Sequence, residues 1–522
     1  MIHQFKYGVD QLTPGKALAI ADGHVKGILV PEVADRIATS YGHVQTIVSQ
    51  HSTVYGINTG FGPLCDTRIN EEDTRTLQYN ILQSHSVGVG NPIPVTVARV
   101  MLITKVHALA QGYSGVAPAT LERIIWMIDE HITPVVPEKG SVGASGDLAP
   151  LSHLFLPLIG LGEVYYKGQR QAAAAVLQAE GLAPVALGPK EGLALINGTQ
   201  FILSFAVTAL QRLHNALETA DIVGALSLEG LMGTARPFDP RIHAIRPFPG
   251  NQLVAHRLKT MLDGSGIMAA HVDCGRVQDP YSLRCMPQVH GASRTAWLHL
   301  LDLVTIELNA VTDNPIIFSA DDTISGGNFH GQPLALPLDY ATVAAAELGN
   351  ISDRRCYMMI EGRYGLPKLL IEDAGLNSGF MIPQYTTAAL VTENKTLCFP
   401  ASADSVPTSL GQEDHVSMGS ISGRKLHQVI DNLEYILAIE LLYAAQAVNF
   451  RRPLTSGPVL EAVHAFVRET VPFAAKDRIF AYDIQQLHTL IRQQSIVRVA
   501  NETALANHLS LNGIYHDQFG FY

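Results

Sequence analysis

Between Gly140 and His153 the chain reads GSVGASGDLAPLSH, and these residue types permit an uncommon piece of backbone chemistry. If the amide nitrogen of Gly146 attacks the carbonyl carbon of Ala144, a five-membered ring closes. The attack needs a sharply folded backbone. Glycine at the attacking position removes the Cβ that blocks the approach, and Gly143 loosens the other side. Loss of water from Ser145 then leaves an exocyclic methylene conjugated to the ring carbonyl and imine. Proteins otherwise offer almost only nucleophiles, so this electrophile amounts to a cofactor made in place. Asp147, next in the chain, can assist the proton transfers of dehydration. Ala-Ser-Gly is common, however. The plain alternative is a Gly/Ser turn that caps a helix at Asp147 or binds an anion, and the rest of the chain must decide.

Two further residues have a chemistry of their own. Arg284, in DPYSLRC, suits an α-amino acid, because a guanidinium grips a carboxylate with two parallel hydrogen bonds. Tyr281 stands three residues earlier and faces the same side if the segment is helical. Glu413, in QEDHVSM, can accept a charge-assisted hydrogen bond from an imidazole; facing a benzene ring it would be left unpaired at a cost of several kcal/mol. The competing readings are a surface ion pair for Arg284 and a helix N-terminal acid for Glu413.

The motif and its companions resemble the aromatic amino acid ammonia-lyase family, which shares a methylidene-imidazolone (MIO) prosthetic group. The blocks that carry the resemblance occur in family order: VYGINTGFGPL (54–64), GSVGASGDLAPLSH (140–153), EGLALINGTQ (191–200), VQDPYSLRC (277–285), SGGNFHGQP (325–333), NSGFMIPQ (377–384), GQEDHVSM (411–418) and DRIFAYDI (477–484). The resemblance implies a mainly α-helical homotetramer with active sites shared between subunits, and no external cofactor. It implies that Ala144, Ser145 and Gly146 form the MIO and that Tyr55 is the base that takes the substrate's β-proton. It places Tyr281 near the prosthetic group and has Asn197 hydrogen-bond the ring or the substrate. Gln278 and Phe329 become pocket walls. Met381 and the Glu413 block resemble the histidine branch of the family, whereas Ser86 departs from the alanine expected there. His85 suits a polar ring, imidazole or phenol. The expected reaction is elimination of ammonia from L-histidine to give trans-urocanate, the first step of histidine degradation. The alternatives on the same fold are elimination from tyrosine or phenylalanine, and 2,3-aminomutase chemistry.

Long helices must hold these residues. Apolar residues at Leu426, Val429, Ile430, Leu433, Ile436, Leu437, Leu441 and Ala444 keep a helical period from Leu426 to Phe450. Similar patterns run from Thr199 to Gly233, Ala292 to Val311 and Leu336 to Gly362, each apolar on more than one face, which predicts a central bundle. Before about residue 190, helical stretches (Val33–Ser49, Val95–Gln111) alternate with Gly/Pro-rich loops at Gly56–Pro63, Gly88–Pro94 and Pro134–Gly146. The expected fold is therefore mainly α, with a smaller N-terminal domain (1–198) carrying the ring-forming loop. A long-helix bundle (199–455) and a C-terminal helical segment (456–522) follow, and Ser456-Gly457-Pro458 marks the last boundary.

Composition narrows the partners. The 522 residues are 47% hydrophobic and only 16% charged, with a net charge of −11. So little charge hints that part of the surface is covered by other subunits. No Lys/Arg run tracks a phosphate backbone, so nucleic acid is not expected. No apolar window is long enough for a membrane span. Five cysteines without CxxC spacing fit reduced thiols in a cytoplasm. Despite 21 histidines, no HxxxH or HExxH pattern stands out, so no metal site is expected.

Overall fold

The computed structural model describes residues 3–50, 54, 56–57, 59–60, 69, 71–272 and 275–519. The helices that position the site are α1 (Pro31–Ser49), α2 (Glu71–His85), α3 (Val95–Leu109), α4 (Leu148–Phe155), α5 (Glu191–Ile196), α6 (Gln200–Gly230), α7 (Pro249–Leu262), α8 (Tyr281–Arg284), α9 (Met286–Leu308), α10 (Gln332–Ile360), α11 (Met381–Leu397) and α12 (Gly419–Asn449). The chain then turns through α13 (Pro458–Thr470), α14 (Phe480–Arg492) and α15 (Ser495–Ala506). The fold is mainly α, as expected. The strands of the described residues are short and lie in pairs or a triplet.

At the centre α6, α10 and α12 pack on one another, with α9 and α7 alongside. All of α6 is buried except Gln211, Arg212 and His214, which explains why its apolar pattern has no single face. Every apolar position of the Leu426–Ala444 pattern is buried in α12, each side chain contributing roughly 2 kcal/mol. The helix starts seven residues before that pattern, at Gly419. Its first turns are small residues: a Cβ on Gly423 would lie 3.0 Å from Phe205 Cβ, so they bring α12 close to α6 without any apolar period.

Charges inside the bundle fix which helices meet. Glu218 and Asp221 on α6 face Arg257 on α7 and Arg294 on α9: Arg257 Nη1 reaches Glu218 at 2.7 Å, and Arg294 Nη2 reaches Asp221 at 2.6 Å. Burial pushes the Asp221 carboxyl up, but Arg294, His290 and Arg257 hold it well below the usual range. A second pair, Arg355 of α10 against Glu440 of α12, also accepts Ser227 Oγ of α6 at 2.6 Å. Each helix of the core trio thus supplies one member of a buried set that no slipped register would satisfy.

Two of the expected Gly/Pro-rich loops are more than loops. Val89–Pro92 and Pro137–Lys139 pair as antiparallel strands, with Pro92 opposite Pro137 and a shift of register between. Two-stranded ribbons tolerate proline because their outer edges need no ladder partner. The pair ties the end of α2 to the approach of the tripeptide Ala144-Ser145-Gly146.

Candidate active site

The tripeptide Ala144-Ser145-Gly146 forms a turn ahead of α4, and Ser145 itself is left-handed at φ +50°. A Cβ on Gly146 would stand 2.2 Å from the carbonyl oxygen of Gly198, and one on Gly143 2.1 Å from Ser417 Oγ. Glycine is therefore required at both places for the turn to enter its slot. One wall of the slot is the Asn197–Gly198 turn between α5 and α6, where Gly198 O accepts from Asp147 N at 2.8 Å. The other wall is the start of α12: Met418 N donates to Val142 O at 2.9 Å, and Ser420 Oγ to Ser141 O at 2.7 Å.

Both polar groups of Ser145 are engaged. Its carbonyl accepts from Asn197 Nδ2 at 3.0 Å, and its hydroxyl donates to Glu413 Oε1 at 2.6 Å. Asn197 is buried, and its Oδ1 has no hydrogen-bond partner among the described residues. Glu413 is aimed by its own turn. Its Oε2 accepts from Ser409 Oγ at 2.7 Å and Thr408 Oγ1 at 3.2 Å, and its carbonyl accepts from Thr408 N at 2.8 Å. Since α12 begins only at Gly419, Glu413 is not a helix N-terminal acid. His85 closes α2 nearby. Burial lowers its imidazole, while the Ile81 backbone and the Glu413 carboxylate pull it up.

Asp147 does not cap α4 with its side chain. It turns instead to α6, accepting from Ile202 N in the first turn at 2.9 Å and from Ser141 Oγ at 3.0 Å. The positive end of a long helix favours an anion there, yet full burial pushes the carboxyl up to about 7. A carboxyl balanced near neutrality suits the proton transfers of ring formation.

A second cluster gathers elsewhere. Asp279 accepts from Thr234 N at 2.7 Å and pairs with Arg276 at 3.1 Å, anchoring the segment that carries Gln278, Tyr281 and Arg284 just beyond the C-terminal end of α6. Arg284 lies over the Tyr281 ring at 4.6 Å, the shared face expected from their spacing. Its guanidinium makes no hydrogen bond or ion pair with any described residue, and its Nε is buried without a partner. Gln278 and Arg284 line a cleft of about 1030 Å³ with Arg236, Arg246 and Gln288. Tyr281 is 70% exposed.

One chain does not bring these clusters together. Asn197 precedes the first turn of α6 and Asp279 contacts the residues beyond its last; at 1.5 Å per residue, 31 residues separate the two by about 46 Å. Met381 is distant as well. It opens α11 where Phe380 meets Tyr443, 24 residues along α12 from Gly419, or about 36 Å. Phe329 is half-buried on a loop whose Gly331 abuts Ser417, beside the slot. Tyr55 lies outside the described residues. Next to it, a Cβ on Gly56 would lie 2.5 Å from Leu193 Cδ2, so Gly56 rests on α5, the helix that leads into Asn197.

Reasoning from the sequence overlooked Lys105, whose Nζ donates to Asn197 O at 2.6 Å. Its signal was the only lysine of a mostly apolar helix, VARVMLITKVHAL. No group of three or more His, Cys, Asp or Glu among the described residues is placed to hold a metal ion, and no described helix is long and apolar enough to cross a membrane.

A family model described as aromatic amino acid lyase matches residues 12–469. Over 495 residues the chain is 47% identical to a histidine ammonia-lyase of Symbiobacterium thermophilum, an overlap of 94% of this chain and 97% of that one. The crystal structure of histidine ammonia-lyase from Trypanosoma cruzi superposes with a TM-score of 0.89 at 38% identity, covering 99% of this chain and 97% of that one. Tyrosine aminomutase from Streptomyces globisporus superposes with a TM-score of 0.91 at 35% identity, covering 96% and 99%.

Proposed function

The chain belongs to the aromatic amino acid lyase family, and from that premise we propose that it is an ammonia-lyase acting on L-histidine, releasing trans-urocanate through an MIO electrophile formed from Ala144-Ser145-Gly146. The observation that carries this reading is the setting of Ser145: left-handed, between two glycine contacts, its carbonyl on Asn197 and its hydroxyl on Glu413. The residues fit the group. The glycines leave room for the closed ring, and the carboxamide of Asn197 keeps a buried oxygen that has no partner among the described residues beside it.

Once formed, the group supplies an electrophilic methylene that accepts the amine and makes it a better leaving group. The remaining tasks fall to side chains. Asn197 Nδ2 polarises the Ser145 carbonyl. Glu413 Oε1 loses its partner when Ser145 gives up its hydroxyl oxygen, and is then free to take an imidazole N–H. Tyr55 removes the β-proton. Arg284, with no hydrogen-bond or ion-pair partner among the described residues, grips the substrate carboxylate, with Tyr281 beneath it and Gln278, Phe329, His85 and Met381 walling the pocket. Since α6 keeps Arg284 from the Ser145 of its own chain, the site is completed by other copies, which supports the homotetramer. Free thiols at Cys285, Cys356 and Cys398 are consistent with work in the cytoplasm.

The superposition serves lyase and mutase equally well, so the fold does not choose a substrate. The Glu413 setting and the higher identity to a histidine enzyme favour histidine over tyrosine, phenylalanine or mutase chemistry. Ammonia release and product identity from each amino acid separately test the choice; tyrosine turnover with no urocanate from histidine sinks it. Glu413→Gln is expected to lower kcat/KM for histidine about 10- to 100-fold, the worth of one charge-assisted hydrogen bond. Ser145→Ala should abolish turnover while the chain stays folded, and intact mass should show that it no longer loses two waters.

A further inference from the structure

Lys105 lies on α3, where every residue from Val97 to Leu109 is buried. Its ammonium is enclosed too, and the chemistry above leaves it without a task. Removing an ammonium from water costs several kcal/mol unless its hydrogen bonds are good, a cost that a methionine of similar length avoids. Burial pushes Lys105 down to about 7, with the charges of Asp313 and Asp147 opposing the shift and that of Lys190 adding to it. Asp313 is already committed to Lys190 at 2.9 Å, so the direct partners of Lys105 are the carbonyl of Asn197 at 2.6 Å and Gln200 Oε1 at 3.5 Å.

Those partners belong to one turn, residues 197–200, which leads into α6. Lys105 holds it from the α3 side. On its opposite side the same turn holds the tripeptide, through Asn197 Nδ2 on Ser145 O and Gly198 O on Asp147 N. Asn197 therefore joins the two, taking Lys105 on its own carbonyl and the Ser145 carbonyl on its side chain.

Resting on the reading of Ala144–Gly146 as the source of the electrophile, we propose that Lys105 is a positioning residue. Its ammonium fixes the Asn197–Gly198 peptide so that the Asn197 carboxamide meets the Ser145 carbonyl oxygen, both during ring closure and during turnover. In closure, Gly146 N bonds to Ala144 C, and the Ala144 oxygen leaves as water with the amide hydrogens of Gly146 and Ser145. The Ser145 Cα–H and Cβ–Oγ bonds then break and a second water leaves. Negative charge gathers near the Ser145 carbonyl oxygen as the Cα proton departs, and again when amine adds to the methylene. A donor held without slack lowers both barriers.

Lys105→Met keeps the length of the side chain and removes donor and charge; Lys105→Gln keeps a donor. Each is compared with the wild type and with Ser145→Ala by thermal melting, by intact mass for the fraction lighter by two waters, and by kcat and KM for histidine. Folded Lys105→Met is expected to show incomplete water loss and kcat per matured chain lower by about 30-fold, with KM within about threefold. Lys105→Gln should fall between it and the wild type. Complete water loss with kcat within about threefold of wild type overturns the proposal, as does a rise in KM at unchanged kcat. Should Lys105→Met fail to fold, Lys105→Gln decides: a drop of at least about threefold in either readout supports the role, and no change in both refutes it. Retained turnover in Ser145→Ala removes the underlying reading; a normal Lys105→Met beside an inactive Ser145→Ala removes only Lys105.

Discussion

Gly146 shows how little freedom the Ala144–Gly146 loop has. Its missing Cβ would meet backbone on Gly198, which cannot rotate away as a side chain can, at 2.2 Å. Gly146→Ala is therefore expected to push the tripeptide out of its slot. Intact mass should show a chain that keeps both waters, with circular dichroism close to wild type because the clash is confined to a loop; complete ring closure in this variant would contradict the steric argument. At this scale much was legible. The residue types of Gly143–Gly146 and the shared face of Tyr281 and Arg284 followed from chemistry and spacing. Asp147 was legible only as an acid near the ring. Its bond to the first turn of α6 joins residues 55 apart in sequence, and no local pattern announces such a contact. Lys105 and Ser417 were missed for the same reason.

Among the elements, the buried pair of Arg355 and Glu440 ties α10 to α12 and, through Ser227, both to α6. Arg355→Ala leaves a carboxylate at the bundle centre without its counter-ion, a loss of about 3–5 kcal/mol. Chemical denaturation should show that drop, and a change below about 1 kcal/mol would mean the carboxylate had found water or a proton. Glycine is likewise needed where α7 crosses α9, since a Cβ on Gly250 would lie 2.3 Å from the backbone oxygen of Gly291. Periodicity located the long helices because a buried stripe must recur with the helical turn. It missed their ends, as at Gly419, where small residues replace apolar ones, and it missed the Val89–Pro92 strand, whose glycine and proline read as loop.

Across the whole molecule, pH and assembly are the two accessible levers. The imidazoles of His107, His427 and His464 are pushed down to about 4, chiefly by burial. Unfolded, they bind protons near 6.5, so the unfolded chain takes up more protons as pH falls, and their contribution to stability, complete above about 6.5, is lost on the way to about 4. His427→Gln tests the sign: its stability deficit should shrink as pH is lowered through that window, and a constant gap would contradict it. For assembly, mixed oligomers of Ser145→Ala and Arg284→Ala, each inactive alone, are expected to recover activity, because a site can then draw Ser145 from one chain and Arg284 from another. Mixing that restores nothing, although both variants assemble, would place the two groups in separate functions.

The length of α6 has an outcome in time as well as in space. Every contact of the tripeptide among the described residues is made within one chain, so on the proposed reading a newly folded copy is expected to close its ring unaided and to lack only the group that holds the substrate carboxylate. Because a continuous hydrogen-bonded helix sets that gap, no breathing of an isolated copy spans it. Diluted copies should thus stay chemically complete yet idle, and wake on concentration with no lag for new backbone chemistry.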